Sequence, residues 1–143
     1  MKVNNVSFGN IVKVNAPIGT AIQIADIVNG KETTKNKKLQ NQLNTLFPEK
    51  STSIYIVSPE TSYLLDGKEG KQFDTLCSSV TKKLRTLYKK HSPKEYCEVH
   101  SEKIMTAYHK KADKIINSAQ HVTDIDVKTD SRTGNISSIN INA

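Results

Sequence analysis

The sequence predicts an α+β domain in which an antiparallel sheet of about five strands packs against about four helices. Three observations carry this. Short β-branched runs come in pairs separated by turn residues, apolar residues at helical spacing fill four other segments, and helices and strands arrive in twos. The expected order is β-α-α-β-β-α-α-β-β within a single domain spanning residues 1–143, and that length is the usual size of one domain. Apolar residues make up 36% of the chain. This is lean beside the roughly 45–50% of an average domain, a figure that also counts glycine. A large buried apolar ligand cavity is therefore not expected.

Residues 8–15 (FGNIVKVN) read as the first strand. Pro17 suits the first position of a helix that stops at Asn29-Gly30, and its many apolar residues predict burial. After a lysine-rich connection, with Thr33 and Thr34 available as caps, Leu39, Leu43, Leu46 and Phe47 form one helical stripe that Pro48 ends. Residues 53–57 (SIYIV) and 62–65 (SYLL) flank turn chemistry and form a hairpin.

The third helix has the strongest pattern. Phe73, Leu76, Cys77, Val80, Leu84, Leu87, Tyr88 and His91 fall on one face. Ser92-Pro93-Lys94-Glu95 reads as a capping box with proline at N1, so one helix stops near residue 91 and another starts at Ser92. The new helix runs to about Ala119 on a stripe of Cys97, Ile104, Met105, Tyr108, Ala112, Ile115, Ile116 and Ala119, as antiparallel neighbour or sharp corner to the first. Residues 122–129 and 135–142 close the chain as a hairpin with Gly134 in its turn. Ile136 and Ile139 differ in parity, which predicts a bulge or register change.

His91, Cys97 and His100 fall near the expected turn, but they supply at most three zinc ligands and no CxxC or HExxH accompanies them. The preferred reading has His91 at a helix C-terminus and Cys97 as a small core residue, with no metal and no cofactor. In an antiparallel pair Cys77 lies about 22 Å from the turn and Cys97 about 7 Å, which is too different for a disulfide. Residues 66–71 (DGKEGK) fail the phosphate-loop spacing and read instead as Asp66 capping with Glu69 at N3, leaving only a weak anion site at Gly70 and Lys71. Asp124, Asp126 and Asp130 lack the glycine and glutamate of a calcium loop and fit the wet face of a strand.

The formal net charge is +7, from 21 basic residues of which only Arg85 and Arg132 are arginine. Lysine is a solvated point charge without the bidentate fork of arginine. Lys82, Lys83, Arg85, Lys89 and Lys90 put five positive charges on the exposed side of one helix, and Lys35, Lys37 and Lys38 add a second cluster. Most such runs are solvated faces, and Tyr88 is the single aromatic among the first set that nucleic acid could use. No segment reads as membrane-spanning, and the first 30 residues lack the apolar stretch of a signal peptide. The default is a cytoplasmic protein with reduced thiols.

The expectation is a non-catalytic protein-interaction domain, acting as an adaptor, regulatory or assembly module through a protein partner or self-association. It predicts an exposed apolar patch or a dimer. The alternative is sequence-nonspecific nucleic-acid binding through the lysine-rich helix face. A small enzyme whose site is assembled from distant loops is the third class.

Overall fold

The structure is a computed structural model that describes residues 11–142. The element order is β1 (Ile11–Asn15), α1 (Ile18–Val28), α2 (Lys37–Leu46), β2 (Ser53–Ser58), β3 (Thr61–Leu65), α3 (Gly67–Lys89), α4 (Lys94–Ser118), β4 (Val122–Thr129) and β5 (Ile136–Asn142). The class is α+β, with four helices and one five-stranded sheet in the order β2-β3-β1-β4-β5. Positions 8–10 of the expected first strand lie outside the described residues.

The sheet is mixed, which corrects the expectation of a purely antiparallel one. β1 pairs antiparallel with β3 but parallel with β4. The reason is topological. β3 ends at Leu65 and β4 begins at Val122, and both sit opposite Ile11. Between them α3 runs outward and α4 runs back, so the chain returns to the end of the sheet it left. β4 must then run against β3 and along β1.

Helices cover both faces of the sheet, where the sequence suggested mainly one. Val12, Val14, Leu64, Ile125, Ile136 and Ile139 pack with Ala21, Ile24, Ala25 and Ile27 of α1 and with Leu39, Leu43, Leu46 and Phe47 around α2. On the opposite face Ile11, Tyr55 and Leu65 pack against Phe73 of α3 and Ala112 and Ile116 of α4. β1 is central because its alternation serves both layers. The rest of the second face is polar: the Asn15 amide donates to Asp124, Asn142 Nδ2 donates to Asp124 Oδ1 at 3.0 Å, and Lys13 Nζ lies 4.0 Å from Asp124 Oδ2.

The parity change in β5 has its cause in a register shift. Val127 faces Ile139 and Thr129 faces Ile136, so one residue is skipped and both isoleucines reach the same core layer.

Several caps differ from expectation. Pro17 and Pro93 are N-caps rather than N1 residues, each in an extended conformation (ψ 152° and 146°) that hands its carbonyl to the first turn. Ala21 N–H donates to Pro17 O and Cys97 N–H to Pro93 O, both at 3.1 Å. The Ser92 capping box does not form, because the helix starts one residue too late for the serine side chain to reach N3, and the Ser92 N–H turns back to the Lys90 carbonyl. Asn36, not a threonine, caps α2 and accepts from Leu39 N–H at 3.1 Å. Asp66 caps α3 through the Gly67 N–H at 2.8 Å and also accepts from Glu49 N–H at 3.2 Å.

Two positions in this frame make opposite predictions. A Cβ at Gly70 would stand 2.7 Å from the Leu65 carbonyl oxygen, a backbone atom that cannot yield. Gly70→Ala should therefore cost about 2–3 kcal/mol in urea unfolding, the upper range for overpacking. The Ser62 hydroxyl is fully buried with no hydrogen-bond partner among the described residues. Ser62→Ala removes that unmet donor and should stabilise by about 1 kcal/mol in the same assay.

Candidate interaction surface on the α3–α4 hairpin

α3 and α4 are the longest elements, 23 and 25 residues. At about 1.5 Å per residue they span roughly 35 Å and 37 Å. Strands β2 and β3, of six and five residues, reach only about 20 Å and 17 Å. The sheet can therefore bury only one end of the hairpin. Phe73, Leu76 and Cys77 of α3, and Tyr108, Ala112, Ile115 and Ile116 of α4, join the layer on the sheet. No residue from Ser78 to Ala107 takes part in either core layer. The distal half is held by contacts between the two helices, among them buried Leu87 and Cys97. The Cys97 thiol points at the Leu87 carbonyl, 3.9 Å away.

This geometry corrects both predicted stripes. Leu76, Val80 and Leu84 are half-buried, while Tyr88 is 60% exposed and His91 is exposed. On α4, Met105 is also exposed. A lone partner helix shields a narrower arc than a sheet does, so residues at the edge of each stripe are left in water. Tyr96 and Val99, at 46% and 51%, add to the exposed apolar surface.

The charge has the same address. Residues 67–118 carry 12 of the 21 basic and six of the 14 acidic side chains, so the hairpin accounts for +6 of the net +7. The five predicted basic residues border two adjoining hollows that meet at Lys82 and Thr86. Lys82, Lys83 and Lys90 line a groove of about 480 Å³ between the helices, together with Leu87, Tyr96, His100, Lys103 and Ile104. Arg85 and Lys89, with Lys82 again, line a hollow of about 580 Å³ on α3 beside Cys77 and Thr81.

The remaining candidates have structural partners. Among the described residues no three His, Cys, Asp or Glu side chains converge to hold a metal ion. His100 stacks on Tyr96 with centroids 3.8 Å apart, and its Nδ1 lies 3.0 Å from the Tyr96 carbonyl. Both cysteines are free, and burial pushes the Cys77 thiol up, so it stays protonated. The weak anion site at Gly70 is closed by the contact with Leu65 and by the Asp66 carboxylate at the same helix end.

One polar cluster went unread in the sequence. The Tyr55 hydroxyl of β2 donates to Asp113 Oδ1 at 3.1 Å and lies 3.0 Å from His109 Nδ1. His109 and Asp113 stand one turn apart on α4. Their spacing was legible, but nothing local marked a tyrosine 54 residues away as their partner. Burial, then the bond to Asp113, raises the Tyr55 pKa to about 12. Its hydroxyl therefore remains a proton donor that fastens α4 to the sheet, not a nucleophile.

No family model, no curated protein and no solved structure matches this chain. No described helix is long and apolar enough to cross a membrane.

The Tyr55 shift sets an alkaline limit. A raised folded pKa gives stability that is complete below the ordinary value of 10.0 and is lost as pH rises toward about 12. Denaturant titrations should show this loss over that window. Tyr55→Phe should reduce it, leaving the part due to Tyr108, whose hydroxyl is also pushed up by burial, while costing about 1 kcal/mol at neutral pH for the lost hydrogen bond.

Proposed function

We propose that this chain is a non-catalytic interaction module of the cytoplasm, an adaptor, regulatory or assembly domain that binds a protein partner or a second copy of itself through the distal half of the α3–α4 hairpin. One coincidence carries the reading. Tyr88, Tyr96, Val99 and Met105 are exposed on the stretch that adds nothing to the core layers and lies within the element carrying most of the excess charge. Exposed apolar residues rimmed by polar ones mark contact surfaces, and tyrosine and methionine are enriched there. Lysines at the rim steer an acidic partner toward the surface.

Nucleic-acid binding through Lys82, Lys83, Arg85, Lys89 and Lys90 is the second reading, favoured by the concentration of charge on one hairpin. It ranks second because four of the five are lysines, solvated point charges. Only Arg85 has the planar fork suited to phosphate. Tyr88 is exposed beside Lys89 and Lys90 and offers a single stacking ring.

The test is photo-crosslinking in the native cell, with a photoreactive residue placed at Val99 or, as a control, at exposed Ser131 in the β4–β5 turn. The protein-binding reading predicts a discrete protein adduct from Val99 only. A nuclease-sensitive adduct transfers support to the second reading. That reading also requires binding that weakens steeply between about 50 and 200 mM salt and is lost in the triple variant Lys82→Ala, Arg85→Ala, Lys89→Ala. No adduct from Val99, or equal adducts from both positions, contradicts both readings.

A further inference from the structure

The groove between α3 and α4 does not stop at the tip. Leu76, Ser79, Val80, Lys83, Lys103, Ile104, Ala107, Tyr108 and Lys111 line a second stretch of about 200 Å³, and Lys83, Lys103 and Ile104 are common to both. The channel thus follows α3 from Leu76 to Lys90, about 21 Å at the helical rise. Its floor is apolar, made by Leu76, Val80, Leu87 and Ile104. Its rims carry Lys82, Lys83, Lys90, Lys103 and Lys111, and among the described residues no carboxylate lines either stretch. Glu102 lies beyond Lys103, on the neighbouring surface of α4 with Val99 and Lys110.

We infer that this groove seats an acidic amphipathic helix of the partner protein, an inference that rests on the interaction reading above. The length accommodates about four helical turns. An apolar floor between two positive rims complements a helix with an apolar stripe and flanking carboxylates, the groove mode of peptide recognition. Charge complementarity selects against basic or neutral helices. Nucleic acid fits less well. Its bases need free aromatic faces, and the rings in the groove are already engaged: Tyr96 with His100, and Tyr108 with Tyr55 and Phe73.

The test is a titration of the full-length, isotope-labelled chain with a peptide of about 18 residues, long enough to fill the groove as a helix of about 27 Å. It carries leucine at every third or fourth position and glutamate elsewhere. Saturable resonance shifts are expected at Val80, Leu87 and Ile104. The double variant Lys83→Glu, Lys103→Glu should bind about tenfold more weakly, since like charges then face the peptide. Both changes are at exposed positions, and an unchanged circular dichroism spectrum checks that the fold survives. A second peptide with serine in place of leucine should not bind. The inference is overturned if no saturable shift occurs, if the double variant binds as well as the parent, or if the serine peptide binds equally. A single-stranded oligonucleotide of equal charge that displaces the peptide from the same residues also overturns it. If the peptide fails while Val99 still gives its protein adduct, the groove assignment falls and the interaction reading stands. If both fail, both fall.

Discussion

The mismatch in length between the α3–α4 hairpin and the sheet beneath it governs the rest of this structure. Strands of five and six residues cannot cover helices of 23 and 25. One end of the hairpin is buried through Phe73, Ala112 and Ile116, and among the described residues the remainder of each helix packs on the other helix. Half-buried leucines, exposed tyrosines and a lysine-rimmed groove follow from that arrangement. The same excursion explains the parallel β1–β4 pair, because a helical hairpin returns the chain to the edge where it began.

The two helical layers divide the work. α1 and α2 close one face of the sheet with a continuous set of aliphatic side chains and supply most of the core. The second face spends few apolar residues: the foot of the hairpin covers one end, and Asn15 and Asn142 both donate to Asp124 across the other. With 36% apolar residues the chain has enough to close one face fully and the other in part. Of the exposed large apolar side chains, Tyr88, Tyr96, Val99 and Met105 lie on the hairpin, next to most of the excess positive charge, while Ile22, Ile56, Val57 and Ile141 lie elsewhere.

Much of the architecture was legible because it is local. Turn residues and periodicity mark the helices and hairpins, and the parity of Ile136 and Ile139 announced the register shift. The strand directions were not legible, since they depend on where α4 delivers the chain. The caps failed on a finer point: Pro17 and Pro93 have a φ suited to either the N-cap or N1, and only ψ separates the two. At the candidate site the positive cluster could be read from spacing, but the hollows that it borders could not, because they depend on where α4 packs. Helical periodicity assigns an angle to Tyr88 and Met105 without saying whether anything stands opposite them, so both were placed in a core that does not extend that far.

Native-state hydrogen exchange on the intact chain tests the central claim most directly. Amides from Ser78 to Ala107 should exchange through local openings cheaper than global unfolding, while those around Ala112 and Ile116 and in β1 exchange only with global unfolding. Uniform protection along both helices, equal to that of β1, would mean that the distal hairpin belongs to the core, and would contradict the account.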